Sequence, residues 1–158
     1  MSNFDKYFHA VLTRAAEQAQ AAGSTTIEAQ HLLLAMAVRP EPETDRVLAA
    51  VGLDYEAIRA ALDREFEQSL LAAGISRTDF ALPAASPGVE RPKQLGASAK
   101  LAVERSFTAV AKKDARPAHL LLGILRAEVG TVPRALALAG VDAAALRDRV
   151  QRALEGER

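Results

Sequence analysis

The feature of this sequence that most restricts its fold is an internal repeat. The stretch EAQHLLLAMAV at 28–38 and the stretch RPAHLLLGILR at 116–126 both contain His-Leu-Leu-Leu. His31 therefore pairs with His119 at an offset of 88 residues. Self-similarity of this kind marks a supersecondary unit that buries its apolar face against another copy. The sequence predicts that one structural unit occurs twice.

The register of the repeat extends beyond the motif. At the same offset, Gly52 pairs with Gly140 and Asp54 with Asp142. Upstream, the offset becomes 91 and pairs Phe4 with Leu95, Leu12 with Val103, and Arg14 with Arg105. The change of offset falls in the turn after the first helix of each half, where a deletion is best tolerated. The chain is interpreted as a tandem duplication.

Four helices are predicted in the first half. Residues 4–22 carry apolar side chains at helical spacing. Thr25 and Glu28 fit a capping box that would start the helix containing His31. The prolines of RPEP (39–42) end that helix, and a short third helix runs to about residue 51. Gly52 stops the third helix, and Asp54 caps a fourth over about 55–70.

The second half repeats this plan. Residues 97–112 are predicted to be helical, and Pro117 stands in the first turn of the next helix. Strong helix formers dominate, whereas β-branched runs typical of strands are missing. We predict an all-α fold, an eight-helix pseudo-twofold bundle of two tandem four-helix repeats. The first repeat covers 1–73, an irregular connector 74–94 and the second repeat 95–158, together one domain.

Charge and composition indicate the environment of the protein. Lys+Arg and Asp+Glu both total 20, so no net charge attracts nucleic acid or an anionic membrane. The longest apolar run, LLLAMAV, is far shorter than the roughly 20 residues that span a bilayer. There is no cysteine and no visible secretory signal. We expect a cytoplasmic monomer with no nucleic-acid or membrane partner.

The sequence offers little for catalysis. No glycine precedes a lysine, so the phosphate-binding P-loop is missing, and no H-x-x-x-H metal pattern occurs. We predict no enzymatic activity, catalytic residue, metal or cofactor. His31 and His119 are interpreted as residues that cap or pack a helix start. An enzyme with a histidine-centred site is the alternative from another class.

The repeated motifs resemble a known family. The pieces QHLLLAM and VLAAVGLD in the first half, and AHLLLGIL and ALALAGVD in the second, are similar to the Clp repeat. This repeat forms the N-terminal domain of ClpC-, ClpA- and ClpB-type unfoldases. The resemblance covers nearly the whole chain except the connector. It implies an eight-helix bundle that docks adaptors and substrate segments, here without ATPase modules.

Two sets of site residues follow from the resemblance. In ClpC-type domains a Glu before each His-Leu-Leu recognises phosphorylated arginine, whereas Gln30 and Ala118 stand at those positions here. Neither can form the bidentate contact that a carboxylate makes with a guanidinium. The family's surface for cyclic-peptide antibiotics corresponds to five residues of this chain. They are Met1, Phe4, Leu95, Lys100 and Glu104.

The same residues also have simpler structural interpretations. Phe4 at the head of a helix can be a core residue, and Lys100 and Glu104 can pair with each other. The function expected is a non-catalytic peptide- or adaptor-binding module of the Clp protease system. It would recruit or sequester substrates, adaptors or cyclic peptides. The alternative is an excised N-terminal domain of a full-length Clp ATPase unfoldase.

Overall fold

The architecture is built from two sets of four helices. The computed structural model describes residues 2–75, 90–108 and 110–156, so Met1 and most of the connector lie outside the described residues. The described part holds eight α-helices and one 3₁₀ turn at 112–114, which confirms the all-α prediction. The α-helices are α1 (Asn3–Ala21), α2 (Ala29–Val38), α3 (Pro42–Ala50), α4 (Tyr55–Ala72), α5 (Ala97–Thr108), α6 (Pro117–Leu125), α7 (Thr131–Leu138) and α8 (Ala143–Gly156).

The two halves interlock. Within each half the first helix packs on the second, α1 on α2 and α5 on α6. Across the halves, α4 packs on α7 and α3 packs on α8, so the fourth helix of each half contacts the third helix of the other. Leu32 and Leu120, the paired leucines after the two histidines, are both fully buried in one core. This reciprocal contact is the pseudo-twofold arrangement predicted from the repeat.

The repeated Gly-x-Asp element acts identically in both halves. Gly52 and Gly140 follow α3 and α7 with φ of 74° and 75°, a left-handed conformation that glycine adopts without steric cost. Oδ1 of Asp54 accepts a hydrogen bond from the N–H of Ala57 at 2.8 Å. Asp142 caps α8 in the same way. These caps confirm the predicted ends of the helices.

The start of α2 corrects one prediction. The N-cap is Glu28, and Thr25 takes no part in it. Nδ1 of His31 accepts a hydrogen bond from the N–H of Glu28 at 2.9 Å, and Nδ1 of His119 accepts from the N–H of Arg116, also at 2.9 Å. In both helices the imidazole therefore accepts the hydrogen bond from the N-cap backbone, whereas the predicted capping box of α2 used Thr25 and Glu28. The histidines cap their helices, as one interpretation of the sequence proposed.

The end of α5 is a second correction. The sequence predicted a helix to residue 112, but α5 ends at Thr108. Ala111 has extended backbone with ψ of 143°, and this ends the helical run before the 3₁₀ turn. No helix in the described part of the chain is both long and apolar enough to cross a membrane.

Candidate functional site

The candidate site is the surface between α1 and α5. Each of these two helices packs on both α2 and α6, which form the floor. Phe4 and Phe8 of α1 contact Phe107 of α5. Oε1 of Glu17 on α1 also lies 3.5 Å from a guanidinium nitrogen of Arg91, which precedes α5. Because Phe4 begins α1 while Phe107 ends α5, the two helices run antiparallel. We call this surface the α1–α5 groove.

An aromatic cluster closes one end of the groove. The ring centroids of Phe4 and Phe107 lie 5.8 Å apart at an interplanar angle of 83°, and those of Phe8 and Phe107 lie 5.6 Å apart. Edge-to-face pairs of this kind contribute about 0.5–1.5 kcal/mol beyond burial. Phe4 is 8% exposed and therefore belongs to the core, whereas Phe107 is 36% exposed. Phe107 is the most exposed ring among Phe4, Phe8 and Phe107.

Lys100 and Glu104 stand on the same helix as Phe107. Both are exposed on α5. Residues 100, 104 and 107 share one flank of the helix, because three- and four-residue steps return to the same face. In the described part of the chain no ion pair joins Lys100 to Glu104. Both charges therefore remain accessible beside the apolar end.

Leu95 lies at the opposite end of the groove from Phe4. It precedes α5, is half-buried and forms an isolated parallel bridge with Ile27. The N–H of Gly96 donates to the carbonyl oxygen of Ile27 at 2.8 Å. Since Ile27 follows the carboxyl end of α1, roughly 25 Å of helix separates Leu95 from Phe4. The structure does not bring these two predicted site residues together, and Met1 is outside the described residues.

Comparison with known proteins identifies the family. The chain matches the family model of the Clp repeat (R) N-terminal domain over residues 3–112. The chain belongs to this family. No curated protein sequence matches it.

A solved structure supports the same fold. The chain is similar to the crystal structure of the N-terminal domain of the caseinolytic protease associated chaperone ClpD from Arabidopsis thaliana. The identity is 19%, the TM-score is 0.63, and the match covers 93% of this chain and 91% of that chain. Family membership associates this Clp repeat domain with the Clp chaperone and protease system, and supports a substrate- or adaptor-binding module.

The two positions that the family resemblance assigned to phosphoarginine recognition are Gln30 and Ala118. Neither residue carries a carboxylate. Gln30 is half-buried and Ala118 is 1% exposed. An acid stands two residues before Gln30, at Glu28, but its carboxylate accepts hydrogen bonds from Ser98 at 2.7 Å and from the hydroxyl of Thr26. This carboxylate is committed to the contact between the two halves.

Glu28 fits there because Gly96 has no side chain. A Cβ at residue 96 would lie 1.7 Å from Oε2 of Glu28. Burial would raise the pKa of Glu28, but the hydrogen bonds from Thr26 and Ser98 outweigh it and hold the pKa below its usual value. The ionised carboxylate therefore fastens the start of α2 to the start of α5.

Arg116 takes the place of Glu28 in the second half. One guanidinium nitrogen lies 3.6 Å from Oε2 of Glu43, and another donates to the carbonyl oxygen of Leu154 at 3.0 Å. The two equivalent positions of this Clp repeat domain thus carry opposite charges. Both charges are used in contacts within the molecule.

The two capping histidines are poor candidates for catalysis. Burial lowers the pKa of His31 to about 4, although the charge of Glu28 opposes this shift. Burial, aided by the charge of Arg116, also lowers the pKa of His119. In each ring Nδ1 already accepts a hydrogen bond. No group of three or more His, Cys, Asp or Glu that could hold a metal ion occurs in the described ranges.

Sequence reasoning missed Phe8 and Phe107 as site residues. A signal for Phe107 was present, because it stands seven residues after Lys100 and three after Glu104 on the same flank of α5. No local signal placed Phe8 beside it. That contact depends on the packing of helices from different halves.

Proposed function

We propose that this Clp repeat domain is a non-catalytic module that binds a short apolar or aromatic peptide segment in the α1–α5 groove. Through this contact it recruits or sequesters substrates, adaptors or cyclic peptides of the Clp system. The observation that carries the proposal is Phe107, an aromatic side chain 36% exposed that rests edge-on against the buried ring of Phe4.

The surroundings of Phe107 support a peptide ligand. Buried apolar residues of α2 and α6 form the floor of the groove. Ligand sites combine such apolar surface with a few charged groups that orient the ligand. Lys100 and Glu104 supply one cation and one anion at the rim. A peptide backbone offers both a carbonyl and an N–H, which suits this pair.

Binding in this groove would serve one of two alternative cellular roles. In one, the domain sits ahead of the ATPase modules of an unfoldase and delivers its ligand to them. In the other, it acts alone and sequesters a ligand that would otherwise reach the full-length unfoldase. Recognition of phosphoarginine by paired carboxylates has no support in either role, since Gln30 and Ala118 carry no charge.

Binding of a Clp-targeting cyclic peptide tests the proposal. We expect micromolar affinity by calorimetry, about tenfold weaker binding for Phe107→Ser because an aromatic contact is lost, and a smaller loss for Lys100→Ala. Leu101→Ser is the matched control, because Leu101 is 46% exposed on the same helix but on another flank. Absence of micromolar binding by any cyclic peptide or Clp adaptor, or equal losses in Phe107→Ser and Leu101→Ser, would contradict the proposal.

A further inference from the structure

A second concave site lies outside the α1–α5 groove. It is a cavity of about 250 Å³ between the carboxyl end of α2, the helix α3 and the start of α4. Its lining residues are Ala37, Pro40, Asp45, Leu48, Leu53, Asp54, Tyr55 and Glu56. Pockets for whole small molecules usually measure about 300–1,000 Å³. The size of this cavity suits one side chain.

The floor of the cavity is apolar. Leu48 and Leu53 are each 3% exposed and belong to the core. Tyr55 is half-buried, and its hydroxyl donates to Oε1 of Gln18 at 3.2 Å, which fixes the ring in place. An aliphatic chain could therefore lie on two leucines beside the face or edge of an aromatic ring.

The rim of the cavity is acidic. Asp45, Asp54 and Glu56 are exposed, and no lysine or arginine is among the lining residues. Oδ1 of Asp54 is engaged in capping α4. Within the part of the chain that the structure describes, the carboxylates of Asp45 and Glu56 form no hydrogen bond or ion pair. Two anions thus border an apolar floor, and no lysine or arginine lines the cavity.

The second repeat serves as an internal reference for this cavity. At the offset of 88, the residues that build the scaffold are preserved in kind: Leu48 pairs with Leu136, Leu53 with Val141 and Asp54 with Asp142. The residues that give the cavity its character are not preserved: Asp45 pairs with Pro133, Tyr55 with Ala143 and Glu56 with Ala144. The helices therefore form without these two acids and this ring.

We propose that this cavity binds the side chain of an arginine or lysine from a partner protein. The aliphatic part of that side chain lies on Leu48 and Leu53, and Tyr55 adds a cation–π contact. Asp45 and Glu56 receive the cationic head. Because both carboxylates are exposed, each ion pair is weak and is screened by salt. This site anchors one residue of a partner and does not depend on the α1–α5 groove.

NMR titration of the whole chain with N-acetyl-arginine amide tests the proposal. We expect saturable shifts of the amides of Leu48, Leu53 and Tyr55, with millimolar affinity. The affinity of the double variant Asp45→Asn/Glu56→Gln should be about fivefold lower than that of wild type, since two exposed ion pairs are lost. Raising salt to about 1 M, where the Debye length is about 3 Å, should weaken binding by wild type as well.

Two controls make the test decisive. The citrulline analogue has nearly the same shape as arginine but no charge, and it should not cause saturable shifts. Asp148→Asn changes the net charge by one at an exposed site on α8 and should leave arginine binding unchanged. Equal shifts with citrulline, an unaffected double variant or no saturation would overturn the proposal. Phe107→Ser should leave these shifts intact, so failure of the groove and failure of the cavity are distinguishable.

Discussion

In the first half of the molecule His31 accepts a hydrogen bond from the amide of Glu28, and in the second half His119 accepts the same bond from the amide of Arg116. The capping imidazole is the same, but the side chain at the cap is an acid in one copy and a base in the other. The acid binds Ser98, and the base binds Glu43. The residues that start the helices have been kept, while the charges around them have diverged.

The contacts across the halves differ in the same way. Where α4 meets α7, Oε1 of the buried Glu65 accepts hydrogen bonds from Arg134 at 3.0 Å and from Ser69 at 2.7 Å. At the equivalent contact of α3 with α8, the position of Glu65 is occupied by Ala153. One arrangement of helices thus holds with and without a buried carboxylate. The core of the duplicated unit determines the fold, and the charges modify it.

Truncation of the paired core leucines should have the largest effect. Leu32→Ala and Leu120→Ala each remove a fully buried side chain and should each lower the free energy of unfolding by about 2–5 kcal/mol. Urea denaturation followed by circular dichroism should show one transition in both variants. A separate early transition in either variant would show that the halves fold independently.

The two capping histidines should contribute unequally to the loss of stability in acid. The pKa of His31 is about 4 in the folded chain against about 6.5 when unfolded, so the unfolded state binds more protons between these values. The stabilising effect of its neutral form is complete above pH 6.5 and is lost as pH falls toward 4. This loss amounts to roughly 3 kcal/mol.

The variant His31→Asn isolates this pH effect. Asparagine keeps an acceptor near the position of Nδ1 but does not titrate, so the stability of the variant should vary less with pH. His119→Asn should change the pH dependence by less, because His119 is more exposed than His31. Urea midpoints measured from pH 7 to pH 4 report this difference. The same acid dependence in wild type and His31→Asn would refute the assignment.

Exchanging glycine and alanine at one equivalent position of the two repeats should affect stability differently in α2 and in α6. Gly123 corresponds to Ala35, and a Cβ at residue 123 would lie 2.3 Å from the carbonyl oxygen of Ala102 on α5. Gly123→Ala should therefore cost about 1–3 kcal/mol through overpacking, despite the helix propensity of alanine. Ala35→Gly should cost about 1–2 kcal/mol through lower helix propensity and the loss of a buried methyl group. A stabilised Gly123→Ala variant in urea denaturation would contradict the close approach of α5 and α6.

Removing the charge of Glu65 should have the smallest effect. Glu65→Gln weakens the contact with Arg134, whose side chain is 57% exposed and can be solvated, so we expect a loss of about 1 kcal/mol. Asp63→Asn on the exposed side of the same helix is the control and should change stability by less. Thermal unfolding of both variants measures the difference. A larger effect at Asp63 would mean that net charge, not the buried contact, is responsible.

The sequence predicted the duplicated unit because its signals are local. Gly52 and Asp54 mark a helix end and a helix start that depend only on neighbouring residues. The capping role of Glu28 was less predictable, since Glu28 stands at the N-cap where such a box normally has Ser or Thr, and His31 stands at N3 where it normally has Glu or Gln. The contact of Phe4 with Phe107 could not be predicted, because it depends on how the two halves pack. For the same reason the sequence could not show that Leu95, which the family resemblance grouped with Phe4, pairs with Ile27 beyond the other end of α1.

The central structural claim is that the two copies of the repeat share one hydrophobic core. Native-state hydrogen exchange on the whole chain tests it directly, because amide protection reports the free energy of each opening. We predict that the slowest amides of α2 and α6 exchange with the same free energy, equal to that of global unfolding measured in urea. Protection of α6 that is lost at a clearly lower free energy than that of α2 would contradict the account, since one half would then open while the other stayed folded.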